Sequence, residues 1–270
     1  MLLAIDIGNT NIVLGLFEEE VLCEEWRIST DMEKSRDEYW ILLYSLCCSK
    51  GIDRNKIKGI IISSVVPSLT PEFKAVGEKY FNLSPLIVSP ELDTGIVIRY
   101  LDPKEVGQDR IVNAASAYKI YGGPVIIVDF GTATTFCVVS KNGEYIGGAI
   151  SPGVMASAKA LSSKAERLPE IKLIRPENIL GRDTVTSMQS GIIFGYASLV
   201  DGMVKRIKNE LKEEKINVIA TGGLSQLIAK ECTTIKEIRP LLTLEGLRII
   251  YERNMTHSPH GRRNKPENHL

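Results

Sequence analysis

The sequence predicts an α/β protein that carries one domain pattern twice, and three observations support this. Three short apolar segments open the chain, the hydrophobic period then changes from two to helical, and near residue 125 the same succession begins again. Leu2 to Ile7 is an apolar run broken by Gly8-Asn9-Thr10, and Ile12 to Phe17 is a second, so the pair reads as strand, tight turn, strand. Val21 to Ile28 places Leu22, Glu24, Trp26 and Ile28 on one parity, the pattern of an outer third strand. Tyr39, Trp40, Leu42, Leu43, Leu46 and Cys47 then recur at helical spacing until Gly51 stops them. Lys58 to Val66 holds Ile60-Ile61-Ile62 and reads as a buried strand. Thr70 is expected to cap a helix that has Pro71 at its first position, and Pro85 to Ser89 is one more short strand. The order is β-β-β-α-β-α-β.

Val125 to Asp129 restarts it, with Gly131-Thr132-Ala133-Thr134 as the turn and Thr135 to Ser140 as the second strand. Asn142-Gly143 is a hairpin signal, and Glu144 to Ile150 follows as the third strand. Ile5-Asp6-Ile7-Gly8-Asn9-Thr10 and Val128-Asp129-Phe130-Gly131-Thr132-Ala133 match in Asp, Gly and the flanking apolar residues. An internal duplication is therefore expected: a first domain over 1–118, a boundary near Tyr121-Gly122-Gly123-Pro124, and a second domain over 119–255. In the second half, Thr184 to Leu211 reads as a long helix with Ser190, Gly191 and Gly195 suited to close packing. Lys215 to Ala220 is a strand running into Thr221-Gly222-Gly223, and Leu244 to Tyr251 is a terminal helix. Leu161 to Asp183, charged and marked by Pro169, Pro176 and Gly181, is expected to be a lid or an interface segment. Residues 256–270 read as a disordered tail.

Composition excludes several classes of function. Over 270 residues, 44% hydrophobic content can fill real cores, and 33 basic against 33 acidic residues leave no net charge. A coat for nucleic acid or for an anionic membrane is not expected. No apolar run approaches the roughly 18 residues of a membrane span, and no basic segment precedes the apolar start, so neither a spanning helix nor a signal peptide is predicted. Five cysteines without a C-x-x-C pair suit reduced thiols in the cytoplasm. His257, His260 and His269 are the only histidines, which removes a Ser-His-Asp triad and a His-bound zinc from the body of the fold. The proton acceptor of an enzyme with this composition is a carboxylate.

Asp6, at the end of an apolar strand, needs a partner for its charge, and a magnesium ion would supply one. Gly8 admits a phosphate close to the backbone, while Asn9 and Thr10 offer donors. Alone, the segment is equally well an Asx-type turn. Two such loops from duplicated domains, however, can face each other across a cleft and hold a polyphosphate. No Gly-x-x-x-x-Gly-Lys-[Ser/Thr] and no Gly-x-Gly-x-x-Gly occurs. Gly107-Gln108-Asp109-Arg110 opens a helix whose Ile111, Val112, Ala115 and Tyr118 face inward. Asp109 in its first turn is expected to stay ionised and only weakly basic. A capping Asp beside a solvated Arg is the plain alternative.

Together, Asp6-Ile7-Gly8-Asn9-Thr10, Gly107-Gln108-Asp109-Arg110, Asp129-Phe130-Gly131-Thr132-Ala133-Thr134, Gly147-Gly148-Ala149-Ile150-Ser151-Pro152-Gly153 and Gly181-Arg182-Asp183-Thr184 followed by Ser190-Gly191 resemble type III pantothenate kinase. That family lies within the superfamily of sugar kinases, 70-kDa heat-shock proteins and actin, and the likeness runs from Met1 to about Gly223. It implies a duplicated ribonuclease H-like (actin-like ATPase) fold, two domains around a central cleft. It also implies ATP-dependent phosphorylation of pantothenate to 4′-phosphopantothenate, the first committed step toward coenzyme A. By the same resemblance Asp109 is the base for the pantothenate hydroxyl. Tyr100, Gly107, Gln108, Arg110 and Thr184 are further substrate contacts. Asp6 with Mg²⁺, the backbone over Ile7, Gly8, Asn9, Thr10, Asn11, Ile12 and Val13, and Thr132 hold the ATP phosphates. Gly222 and Gly223 lie at the adenine, and Asp129 binds a monovalent cation, K⁺ or NH₄⁺. Cys137 and Gln108 depart from the common pattern, which often has an aspartate and a small residue there. A cytoplasmic homodimer joined through the second domain is expected. The alternatives are a same-fold kinase for a sugar or other small alcohol and a non-catalytic transcriptional accessory relative.

Overall fold

The computed structural model describes residues 1–165, 167–213 and 215–256, so the 257–270 part of the expected tail and all three histidines lie outside the described residues. The chain begins β1 (Leu2–Ile7), β2 (Asn11–Glu18), β3 (Val21–Ser29), α1 (Arg36–Ser49), β4 (Gly59–Ser64), α2 (Thr70–Val76) and β5 (Leu86–Ile87). Next come β6 (Val97–Ile98), α3 (Gln108–Tyr121), β7 (Val125–Phe130), β8 (Ala133–Val139), β9 (Glu144–Pro152) and α4 (Val154–Lys164). It ends with α5 (Thr184–Leu211), β10 (Asn217–Thr221), α6 (Ser225–Ile228), β11 (Glu237–Ile238) and α7 (Leu242–Thr256).

These elements form two compact units. The first takes Met1–Ile96, Asp102–Ser116 and the described residues from Thr243 onward; the second takes Val97–Leu101 and Ala117–Leu242. This differs from a cut at 118/119, because the terminal helix α7 belongs with the first unit and β6 with the second.

In the first unit the sheet order is β3-β2-β1-β4-β5, antiparallel through β3, β2 and β1 and parallel through β1, β4 and β5. The second unit has β9-β8-β7-β10-β11 in the same sense, with β6 added parallel to β9 at the edge. Period-two alternation explains both cores. Leu3, Ile5 and Ile7 of β1, with Ile12, Leu14 and Leu16 of β2 and Ile60 and Ile62 of β4, face α1 and α2. Ile126, Val128 and Phe130, with Phe136, Val138 and Val218, face α4 and α5. Asp6 and Asp129 fall on the opposite parity.

In the first unit α7 packs on the sheet, with Leu244 against Gly15 of β2. Tyr251 of α7 presses on Gly59, where a side chain would collide with its hydroxyl, and Gly246 lets α7 approach the Val112 carbonyl of α3. The start of α1 is a full capping box, in which the Ser35 N–H donates to Glu38 Oε2 at 2.8 Å and the Ser35 hydroxyl takes the Glu38 N–H. Thr70 does not cap α2. Leu69 occupies the cap without a side-chain bond, and the Thr70 hydroxyl donates back to the Val66 carbonyl at 3.4 Å. The strand expected over Pro85 to Ser89 is only Leu86–Ile87, and the segment from Leu161 begins as the last turn of α4.

Candidate active site

In the first unit the candidate residues gather at the carboxyl ends of β1 and β4. The Gly8 N–H donates to the Asn11 carbonyl at 3.0 Å, while Thr30 at the end of β3 donates its hydroxyl to the Gly8 carbonyl at 2.6 Å and its N–H to the Thr10 carbonyl at 3.1 Å. Two loop carbonyls are thus tied back, and the Asn9 and Thr10 tip stands exposed. Thr30 was not singled out by the sequence, because an isolated threonine at a strand end has no pattern to mark it.

The start of α3 is bolted to the same place. Gln108 Oε1 accepts the Ser64 N–H at 2.8 Å, and the Val65 N–H donates to the Ile7 carbonyl at 3.0 Å. The glutamine that departs from the common pattern therefore joins the helix to β4. Gly107 accepts the Ile111 N–H at 3.1 Å, and a side chain on it would put its Cβ 2.6 Å from Asp109 Oδ1. Burial pushes the Asp109 carboxyl above its usual range, an effect only partly offset by the Arg110 N–H, 2.8 Å from Oδ1, and the Arg110 charge. The Asp109 carboxyl is thus more readily protonated than its first-turn position alone suggests. Arg110, expected to be solvated in the plain alternative, is buried.

The second unit repeats the arrangement with one change. Ile7 pairs with Ile12 but Phe130 pairs with Thr134, so residues 8–11 turn the first loop and 131–133 the second. The Gly131 N–H closes it on the Ala133 carbonyl at 3.1 Å. Gly153, at the start of α4, sits against the Thr132 carbonyl, and Gly222 has φ +91° with its missing side chain directed at Asp129 Oδ1 and the Phe130 backbone. Gly222 is thus required by the Asp129 loop itself. Gly223 is exposed beside it, ahead of the single turn α6.

Tyr100 and Thr184 lie elsewhere in this unit. Tyr100 follows β6, where the Arg99 N–H bonds the Tyr145 carbonyl at 2.8 Å, and its ring centroid is 6.3 Å from that of Tyr145. Thr184 is the first residue of α5. Asp183 caps that helix by accepting the Thr186 N–H at 2.9 Å, and these Thr186 bonds hold the Asp183 carboxyl below its ordinary range. Thr184 lines a cavity of about 650 Å³ with Arg182, Ser187, Met188 and Gly191, and Tyr100 is not in its lining.

A sheet of three antiparallel and two parallel strands built twice, with one more helix after the third strand in the second copy and a carboxylate near the end of each first strand, is the fold of the actin-like ATPases and sugar kinases. Solved structures agree at the level of fold. The activator of 2-hydroxyisocaproyl-CoA dehydratase from Clostridium difficile with bound ADPNP superposes at TM-score 0.58 and 14% identity, covering 99% of each chain. The (R)-2-hydroxyglutaryl-CoA dehydratase component A of Acidaminococcus fermentans superposes at 0.55 and 13%, covering 92% of this chain and 96% of that one. Within this class, residues 2–206 match the family model for type III pantothenate kinase. Proteins named type III pantothenate kinase are 55% identical in Citrifermentans bemidjiense, over 94% of this chain and 100% of the relative, and 51% identical in Bacillus cytotoxicus, over 94% and 97%. The chain belongs to the type III pantothenate kinase family.

Proposed function

We propose that Asp109 is the base with which this chain, an ATP-dependent pantothenate kinase acting at the first step toward coenzyme A, activates the primary hydroxyl of its substrate. The hydroxyl oxygen attacks the γ-phosphorus, the bond to the bridging β–γ oxygen breaks, ADP leaves, and the hydroxyl proton passes to Asp109. The observation that carries this reading is the Gln108 to Ser64 bond, which ties the helix turn bearing Asp109 to the strand beside Asp6. In-line phosphoryl transfer needs that fixed placement more than it needs covalent help.

The remaining assignments go with it. The first unit supplies Asp6, Ile7 and the Gly8 to Val13 backbone for the phosphates, and Gly107, Gln108 and Arg110 for pantothenate. The second supplies Thr132, Gly222 and Gly223 for ATP, and Tyr100 and Thr184 for pantothenate. An oxygen-only donor set of one half-buried carboxylate with Asn and Thr side chains suits Mg²⁺, which takes its other ligands from phosphates and water. Bound there, Mg²⁺ would neutralise charge on the phosphates. Asp129, a single carboxylate at a strand end, suits a monovalent cation, K⁺ or NH₄⁺, and equal rates in sodium and potassium buffers would count against it. The exposed Ile179 and Leu180, 67% and 80% accessible, support a homodimer through the second unit. Sedimentation at micromolar concentration tests it. Five cysteines without a disulfide support a cytoplasmic setting, and among the described residues no helix is long and apolar enough to cross a membrane.

The deciding experiment is Asp109→Asn. Turnover of ATP with pantothenate is expected to fall about 10²- to 10⁴-fold while ATP binding persists. Unchanged turnover would remove Asp109 as the base. Sugar-dependent turnover without a response to pantothenate would favour a kinase of the same fold with another alcohol.

A further inference from the structure

The two units share a feature that neither the loop repeat nor the family likeness brings out. In the first, the parallel-strand neighbour of Asp6 is Ser63 of β4; in the second, the parallel-strand neighbour of Asp129 is Thr221 of β10. Residues in direct register on adjacent parallel strands send their side chains to the same face, and the strands lie about 4.8 Å apart. A hydroxyl on one therefore comes within reach of a carboxylate on the other by rotation about χ1.

Ser63 is 0% and Thr221 1% accessible, and neither hydroxyl has a hydrogen-bond partner. Among the described residues five buried side-chain polar atoms lack one, and these two hold equivalent positions in the duplicated sheets. A buried donor left unsatisfied is a cost that Ala or Val would avoid, and the three residues before each hydroxyl are apolar, Ile60-Ile61-Ile62 in β4 and Val218-Ile219-Ala220 in β10. Retention of a hydroxyl twice, each time beside the carboxylate that ends the first strand, points to a use for it.

We propose that Ser63 and Thr221 are positioning residues for the two carboxylates. Each hydroxyl donates to the neighbouring aspartate when nucleotide and cation are bound, fixes the carboxylate rotamer, and leaves its other lone pairs for the ligand. A carboxylate has about four acceptor sites, so one hydroxyl bond takes only a part of its capacity. Gly222, which closes on Asp129 Oδ1 from the adjacent turn, constrains the second carboxylate further. This rests on the reading of Asp6 and Asp129 as ligand-facing groups.

The test compares Ser63→Ala and Thr221→Val with Ser63→Thr and Thr221→Ser, reading Mg·ADP affinity by titration calorimetry and Tm by scanning calorimetry. The hydroxyl-deleting variants are expected to bind Mg·ADP about tenfold more weakly, the range seen when a group that orients a ligand-bearing side chain is removed. Their Tm should be unchanged or higher, since a buried orphan is gone, and the two hydroxyl-keeping variants should bind like the parent. Wild-type affinity in both deletion variants, with binding lost in Asp6→Ala, would overturn the proposal and leave the loop assignment standing. Undiminished binding in Asp6→Ala and in Asp129→Ala would instead overturn the loop assignment beneath it. The two positions lie in separate units, so a folding failure at one leaves the other to decide.

Discussion

At Asp109, burial and charge pull in opposite directions. Burial raises the carboxyl pKa, and the Arg110 N–H and guanidinium restrain the rise. Because the folded-state value lies above the unfolded one, the native state holds the extra proton in the window between them. The associated stability is fully present below the ordinary carboxylate value and is lost as pH rises through the raised one. Two outcomes are expected. The acid limb of kcat/KM against pH should lie above the usual aspartate range, and Asp109→Asn should raise Tm at neutral pH while removing activity, which paired melting curves and rates would check. A more surgical change is Gly107→Ala, which sets a methyl 2.6 Å from Asp109 Oδ1. With the carboxylate displaced, kcat should fall by about tenfold or more while Mg·ADP affinity holds, and an unaltered kcat would show that Asp109 tolerates the shift.

Among the elements, α5 ties down the chain at more than one point along its length. Its first turn carries Thr184 behind the Asp183 cap, and between four and five turns later Asp201 gathers the loop that leads into β11. Asp201 accepts the Thr233 N–H at 2.8 Å, the Thr234 N–H at 2.9 Å, and both threonine hydroxyls at 2.6 and 2.7 Å. Burial alone would raise the Asp201 carboxyl, but the Thr233 and Thr234 bonds outweigh it and hold it below the ordinary value. The sign is therefore opposite to that of Asp109. Stability from Asp201 is present above the unfolded carboxylate value and is lost as pH falls through the depressed one. Replacement by Ala should cost about 1–2 kcal/mol at pH 7, allowing for its partial exposure, with the gap to wild type closing in acid. Urea titrations at both pH values would show it. The Asp183→Ala change should instead loosen the first turn of α5 and, with Thr184 as the substrate contact proposed above, raise KM for pantothenate with little effect on kcat.

At the scale of the whole molecule, the duplication was legible because Asp, Gly and flanking apolar residues repeat locally along the chain, and strand and helix periods are likewise local. The Asp6 loop, the Asp109 turn and the Asp129 loop could be picked out for the same reason. Ser63 and Thr30 could not, and Thr221 was legible only as part of its Gly-Gly turn, since the pairings with Asp6, Gly8 and Asp129 arise only when strands distant in sequence come into register. The two-residue strands β6 and β11 were hidden by their length, and the allegiance of α7 was hidden because nothing local says which sheet a terminal helix covers. That last point has a measurable consequence. A fragment ending at residue 118 contains every strand of the first sheet but lacks α7, whose Leu244, Leu247 and Ile250 are buried. Each such side chain contributes about 1.5–3 kcal/mol, together about 5–9 kcal/mol, comparable with the whole stability of a typical domain. Without α7, Tyr251 no longer covers Gly59 of β4 and Leu244 no longer packs on Gly15 of β2. Residues 1–118 alone should therefore show no cooperative thermal transition by circular dichroism. Joining residues 241–256 to them through a flexible linker should restore one, whereas a sharp transition in the shorter fragment would mean that the first sheet is sufficient without its sequence-distant helix.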